Sequence, residues 1–290
     1  MDKLKIFQKG WNFSQDGPGN RLVYHLQGCN LHCPWCTNPE GMLPEGTLLV
    51  RKDKLLPSVC PHGAIYNGKI DRRICAQCSS RECVTVNLNQ GIRLSYSMYS
   101  CVQLLHEVIS SKHLFHNGGG VTLSGGEPSL QYDAVRHFLG LLKANEINTV
   151  VETNGSHSKL SALFPLIDML IIDLKHYDVG KGLSVVGVNN NVVLGNISRA
   201  AEEHGNLLIR ITLIPGFNST GDDIVHFLSL LKLLPREHLA IEFLHYHEYG
   251  RVKWEECGME YKMNITGGVK EDITEYESLF RQAGMNVIRT

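Results

Sequence analysis

Six short apolar runs, at residues 22–26, 121–123, 149–152, 169–173, 207–213 and 239–244, set what this chain of 290 residues can fold into. Runs this short, rich in β-branched residues, read as strands. Helical patterns lie between most of them. After Glu127-Pro128, the positions Leu130, Ala134, Phe138, Leu141 and Leu142 fall on one helical face, and Pro128 and Ser129 suit its start. Residues 222–234 and 272–283 read as further helices. Strands alternating with helices predict an α/β fold with a parallel sheet, whose chemistry gathers at the carboxyl ends of the strands. The stretch 47–96 breaks this rhythm with four cysteines, short turns and little periodicity. It reads as a small insert, after which a helix carrying Val102, Leu105, Val108 and Ile109 resumes the alternation. The length suits one α/β domain plus such an insert.

Composition narrows the class. Hydrophobic residues make up 43% and charged residues 20%, as in ordinary soluble domains. A net charge of −1 gives no electrostatic case for nucleic acid or an anionic membrane surface. No apolar run approaches a membrane span, and Met1-Asp2-Lys3-Leu4-Lys5-Ile6 has no apolar signal core, so a cytoplasmic protein is expected. In that compartment nine cysteines read as metal ligands before disulfides. Seven of the nine lie between Cys29 and Cys83, while Cys101 and Cys257 stand alone as ordinary thiols.

The chemistry-bearing motifs follow the runs. Gly28-Cys29-Asn30-Leu31-His32-Cys33-Pro34-Trp35-Cys36 comes just after the first. Three thiolates can hold three corners of a cubane iron–sulfur cluster and leave the fourth iron open to substrate. A zinc knuckle completed by His25 or His32 is the alternative. The second run ends in Ser124-Gly125-Gly126-Glu127-Pro128, where glycines let main chain approach a ligand and exposed carbonyls with Glu127 can accept from an ammonium. Without a ligand, a glycine pair is a turn. Glu152-Thr153-Asn154-Gly155 and Asp173-Leu174-Lys175-His176 close the third and fourth runs with groups able to bind hydroxyls and a carboxylate. Polar strand ends without a role are the plainer reading. Arg210-Ile211-Thr212-Leu213-Ile214-Pro215-Gly216 and Leu244-His245-Tyr246-His247-Glu248-Tyr249-Gly250 end the last two. Among fourteen histidines, any single one is more often a core or surface residue than a site residue. In the insert, Cys60-Pro61 looks like the tail of a ferredoxin motif, and Cys75, Cys78 and Cys83 like the stretched head of another. Together they supply four ligands, with a four-cysteine zinc site as the rival.

In this order the motifs resemble the radical S-adenosylmethionine (SAM) enzymes, along nearly the whole chain. The lead Phe13-Ser14-Gln15-Asp16-Gly17-Pro18-Gly19-Asn20-Arg21, with its Asp-Gly-Pro-Gly turn, narrows the resemblance to the glycyl-radical-enzyme activating enzymes of the pyruvate formate-lyase activating type. The resemblance implies a radical SAM core, a partial (β/α)6 TIM-like barrel over 1–46 and 97–290, and a ferredoxin-like insert over 47–96. It implies that Cys29, Cys33 and Cys36 hold a 4Fe–4S cluster that binds SAM, with Trp35 against the nucleoside. Gly125, Gly126 and Glu127 would hold the methionine amino group, and Asp173, Lys175, Arg210 and His247 would serve the rest of the SAM site. Glu152, Thr153 and Asp173 would hold a monovalent cation, although the best-known member has Asp where Glu152 stands. His245 stands where the family often has proline. Many relatives carry eight insert cysteines and two extra clusters; Cys60, Cys75, Cys78 and Cys83 supply half of that set, so one auxiliary 4Fe–4S cluster is expected. The implied reaction is an oxidoreductase step. One electron splits SAM into methionine and a 5′-deoxyadenosyl radical, which takes a hydrogen atom from a glycine Cα of a partner glycyl-radical enzyme. A flavodoxin or ferredoxin would supply the electron, and the chain would act as a monomer. Two other functions stay open. One is radical SAM chemistry on another peptide or a small molecule, against which the Asp-Gly-Pro-Gly lead argues. The other is a two-cluster electron carrier, against which the three-cysteine first site argues.

Overall fold

The computed structural model of the protein describes residues 2–11, 15–55, 60–66, 69–86, 91–263 and 273–290. Phe13 and Ser14 of the N-terminal lead, parts of the 47–96 stretch, and Asp272 at the expected start of the last helix lie outside the described residues.

β1 (Lys3–Trp11) turns back antiparallel onto β2 (Arg21–Leu26). Then come β3 (Leu48–Val50), β4 (Ile65–Tyr66), β5 (Lys69–Ile70), α1 (Arg72–Ala76), α2 (Glu82–Val86) and β6 (Ile92–Leu94). β3 pairs antiparallel with β6, Leu48 opposite Leu94, which brings the two ends of this stretch together. Leu48, Ile65, Cys83 and Ile92 form a small hydrophobic cluster of their own. Next follow β7 (Ser97–Ser100), α3 (Cys101–Ser110), β8 (Gly120–Gly125), α4 (Tyr132–Ala144), β9 (Asn148–Thr153) and β10 (Met169–Asp173). The chain continues through α5 (Val179–Lys181), α6 (Asn190–Glu203), β11 (Leu207–Leu213), α7 (Gly221–Leu231), β12 (Leu239–His245), α8 (Arg251–Cys257) and α9 (Ile273–Gln282).

The main sheet runs β12-β11-β10-β9-β8-β2-β1-β7. From β2 through β8 to β12 neighbours are parallel, and β1 and β7 close the other edge antiparallel. All six expected strands are present. β1 was not foreseen, although Lys3-Leu4-Lys5-Ile6 alternates with period two and buries Leu4 and Ile6.

Two faces carry two cores. On the helix-covered face Val151, Leu170, Ile172 and Ile209 join α4 residues Val135, Phe138 and Leu142 in the large core. The alternate strand positions Val150, Met169, Ile171 and Leu208 form a smaller cluster on the other face, joined by Ile288. α4 buries Ala134, Val135, Phe138, Leu139 and Leu142 as expected in the main, but it leaves Leu141 half-buried, and Leu130 lies in a short 3₁₀ turn ahead of it. In α3 the expected face is corrected. Cys101, Leu104 and Val108 are buried, whereas Val102 and Ile109 are exposed. Two apolar stripes compete on this helix. The winner is set by its start: Ser100 and Gln103 make a reciprocal cap and Cys101 N donates to Asp2 O, fixing the first turn against β1.

The turn at 15–19 lies on the second face. Asp16 O accepts from Thr122 Oγ1 at 2.6 Å, and a Cβ on Gly17 (φ +108°) would come within 3.0 Å of Val150. Arg21 is buried and anchors the turn, bonding Thr122 Oγ1, Pro18 O, Gly118 O and Asn148 Oδ1. Among the described residues no helix is long and apolar enough to cross a membrane.

Candidate active site

A cavity of about 920 Å³ opens at the carboxyl ends of the parallel strands. Cys29, Cys33, Trp35, Cys36, Gly125, Gly126, Glu152, Thr153, Asp173, Lys175, Arg210 and His247, all singled out from the sequence, line it. Gln15 and Asp16 of the N-terminal turn line it as well.

Local chain geometry produces this convergence. β2 ends at Leu26, and two residues on, Gly28, with a φ of +101°, turns the chain into the cysteine loop. Gly28 O accepts from Glu127 N at 2.7 Å, and Gly126 N donates to Leu26 O at 2.9 Å. A Cβ on Gly126 would sit 2.2 Å from Gly28 O, so this glycine is what lets the end of β8 touch the cysteine loop. Glu127 does not line the cavity. Its buried carboxylate accepts from Ser129 N, Thr153 Oγ1 and Asn154 N, tying the end of β8 to the end of β9. Asn154 in turn donates to Asn30 Oδ1 at 2.9 Å and reaches Cys29 Sγ at 3.9 Å.

The polar floor is a charge network. Parallel register sets Asp173 beside Arg210 and Arg210 beside Glu242. The buried Arg210 donates to Glu242 Oε2 at 2.9 Å, to Gln15 O and to Glu152 Oε1. Burial alone would lower its pKa, but Glu152, Asp173 and Glu242 outweigh burial and hold the guanidinium charged. Glu152 also accepts from Ser124 Oγ at 2.6 Å. Asp16 is pushed up to about 8 by burial and then by the charge of Glu152. Lys175 pairs with Asp173 at 2.9 Å, and that partner, with Cys33, more than offsets burial and raises its pKa. Trp35 rests on Phe217, ring centroids 4.9 Å apart. His247 stacks on Tyr249 at 4.4 Å.

The donor sets can be tested against the groups they could hold. Burial pushes the Cys29 and Cys33 thiols up to about 12, so they keep their protons until a metal displaces them. Among the described residues no three His, Cys, Asp or Glu side chains converge as one metal ion would require. A zinc ion needs its thiolates on a single centre, with Zn–S bonds of about 2.3 Å. A cubane ligates separate corners and keeps its thiolates apart. Cys29, Cys33 and Cys36 line one cavity together, where three thiolates could take three corners of a cubane. In the insert, Cys60, Cys75, Cys78 and Cys83 line one small pocket walled by Leu48, Ile65 and Ile92. Cys101 and Cys257 lie elsewhere and are buried.

Sequence reasoning missed Glu242 as a site residue, and Lys253, Glu277, Arg289 and Thr290, which also line the cavity. Glu242 had a signal. A carboxylate inside the apolar run Leu-Ala-Ile-Glu-Phe-Leu needs a buried partner, and Arg210 holds the matching place in its own run.

Comparison with known proteins adds four findings. Residues 23–231 match the radical SAM superfamily model. The chain is 32% identical to the 4-hydroxyphenylacetate decarboxylase activating enzyme of Clostridioides difficile, over 93% of this chain and 90% of that one. It is 34% identical to the isethionate sulfite-lyase activating enzyme of Desulfovibrio desulfuricans, over 86% and 84%. In fold it resembles Streptococcus suis SuiB bound to precursor peptide SuiA, with a TM-score of 0.53 and 14% identity over 91% of this chain and 47% of that one.

Proposed function

The chain belongs to the radical SAM superfamily and, within it, to the activating enzymes of glycyl-radical enzymes, and we propose that it installs a glycyl radical on a partner enzyme. The observation that carries this reading is the one cavity lined together by the three cysteines, by residues at the strand ends and by Gln15 and Asp16 of the N-terminal turn. A 4Fe–4S cluster held by Cys29, Cys33 and Cys36, with SAM bound, supplies one-electron cleavage of the sulfonium and hydrogen abstraction from glycine Cα.

The residues of the chain bind and orient. Gly125 and Gly126 offer main-chain carbonyls to the methionine ammonium, while Glu127 holds that segment in place from behind. Lys175 supplies the cation for the methionine carboxylate, and Asp173 beside it accepts from ribose hydroxyls. Trp35 and His247 present flat faces to the nucleoside. Arg210 acts by fixing Glu152 and Gln15. A monovalent cation on Glu152, Thr153 and Asp173 would share those carboxylates with Arg210 and Ser124 on one side and Lys175 on the other. The turn at 15–19 brings Gln15 and Asp16 to the cavity beside Arg210 and Glu152.

The six parallel strands support a partial (β/α)6 barrel over 1–46 and 97–290, with a ferredoxin-like insert over 47–96. In that insert Cys60, Cys75, Cys78 and Cys83 hold a second 4Fe–4S cluster, supported by their shared pocket. A flavodoxin or ferredoxin reduces the protein, which acts as a cytoplasmic monomer. The test is isotopic. A candidate partner deuterated at its glycines should pass deuterium into 5′-deoxyadenosine and develop a glycyl-radical signal. Unlabelled nucleoside without that signal would point to a different substrate.

A further inference from the structure

α8 lies between the first cysteine loop and the insert, and it grips both. On the loop side, Trp254 Nε1 donates to Cys36 O at 2.8 Å. Lys253 Nζ reaches Asn38 Oδ1 at 2.7 Å and Glu40 Oε1 at 2.8 Å. Gly250 packs so closely that a Cβ there would lie 2.7 Å from Thr37 Cα and O. The contacts fall on residues 36, 37, 38 and 40, the segment that carries the third cysteine. On the insert side, the half-buried Arg72 donates to Glu256 O at 3.0 Å and to Leu48 O at 2.7 Å. Its guanidinium lies at the carbonyl end of α8, where the helix dipole favours a cation. Gly258 ends the helix at φ +69°, and a Cβ there would sit 2.4 Å from Arg72 Nε. Arg72 opens α1, three residues before Cys75.

We propose that α8 is a brace holding the cysteine loop against the insert, with Trp254 and Arg72 as its two positioning residues. The order of contacts is Cys36 carbonyl, Trp254, the turn of helix to Glu256, Arg72, then the start of the Cys75 helix. The hydrogen bond from Trp254 goes to the main-chain oxygen of a ligand cysteine, and those from Arg72 go to the insert and to α8. A shift at Arg72 therefore reaches Cys36 through one rigid turn of helix. The inference rests on the cluster reading of both cysteine sets.

Three variants test it in the reconstituted protein: Trp254→Phe, which removes the N–H donor along with part of the indole ring system, Arg72→Met, and the milder Arg72→Lys, which keeps the charge but not the two-carbonyl fork. Trp254→Phe and Arg72→Met should each weaken SAM binding about fivefold, the worth of one hydrogen bond, and shift the g-values of the reduced first cluster with SAM bound. The double variant should be no worse than the weaker-binding single, because both act through one element. In metal-free protein, amide exchange over residues 33–41 should speed up roughly tenfold in both singles and less in Arg72→Lys. Arg72→Met with unchanged loop exchange and unchanged SAM affinity would overturn the brace, as would fully additive effects. If iron loads at the first site but not in the insert, the second-cluster reading fails, while the exchange measurement still judges the brace.

Discussion

Arg210 holds the floor of the cavity, because the buried Glu242, the half-buried Glu152 and a main-chain oxygen depend on its guanidinium. Arg210→Met would leave Glu152 and Glu242 facing each other without a cation, at a cost of roughly 3–5 kcal/mol in unfolding free energy. Arg210→Lys should recover only part, since one ammonium cannot replace a planar fork. Urea unfolding of the three proteins checks both. His25 gives a pH signature. Burial, and then the charge of Lys253, lower its pKa to about 4 from 6.5. Between these values the unfolded chain binds a proton that the native chain refuses, so stability falls as pH drops below 6.5 and is unaffected above it. His25→Gln should lose about 1 kcal/mol less than wild type between pH 6.5 and 5.5, read from urea midpoints at each pH. At this scale the cysteine set and the strand-end motifs were legible because their spacing is local. Trp254 was not, since its partner Cys36 lies far away in sequence.

The elements were readable where one period dominates. The six parallel strands came from short β-branched runs, and α4 from a 3.6-residue stripe ending in Phe138 and Leu142. α3 shows where such reading stops. Both Cys101-Leu104-Val108 and Val102-Leu105-Ile109 are helical stripes, and only the cap at Ser100 with the contact to Asp2 decides between them. The consequence is an asymmetry. Leu104→Ala should destabilise by about 2–5 kcal/mol, a cavity in a packed core, whereas Ile109→Ala should cost under about 1 kcal/mol. Thermal melts of the two variants decide it, and the reverse order would mean the helix sits on its other face. β7 was missed because its four residues lie at the end of the cysteine-rich stretch and are half-exposed or exposed.

For the molecule as a whole, the insert and the strand-end cavity are two cysteine sites joined through α8. Replacing Cys75 with Ala should drop iron from about eight to about four per chain while leaving Cys29, Cys33 and Cys36 loaded. Iron that stays at about four in both proteins would remove the second cluster from the account. The central claim is reductive SAM cleavage at the first cysteine set, and one measurement reaches it directly. The protein is loaded anaerobically with iron and sulfide, reduced and given SAM, and 5′-deoxyadenosine is quantified for wild type and Cys36→Ala. Nucleoside from the wild type and none from Cys36→Ala is the predicted result; equal amounts from both, or none from fully loaded wild type in the presence of a partner glycyl-radical enzyme, would contradict it.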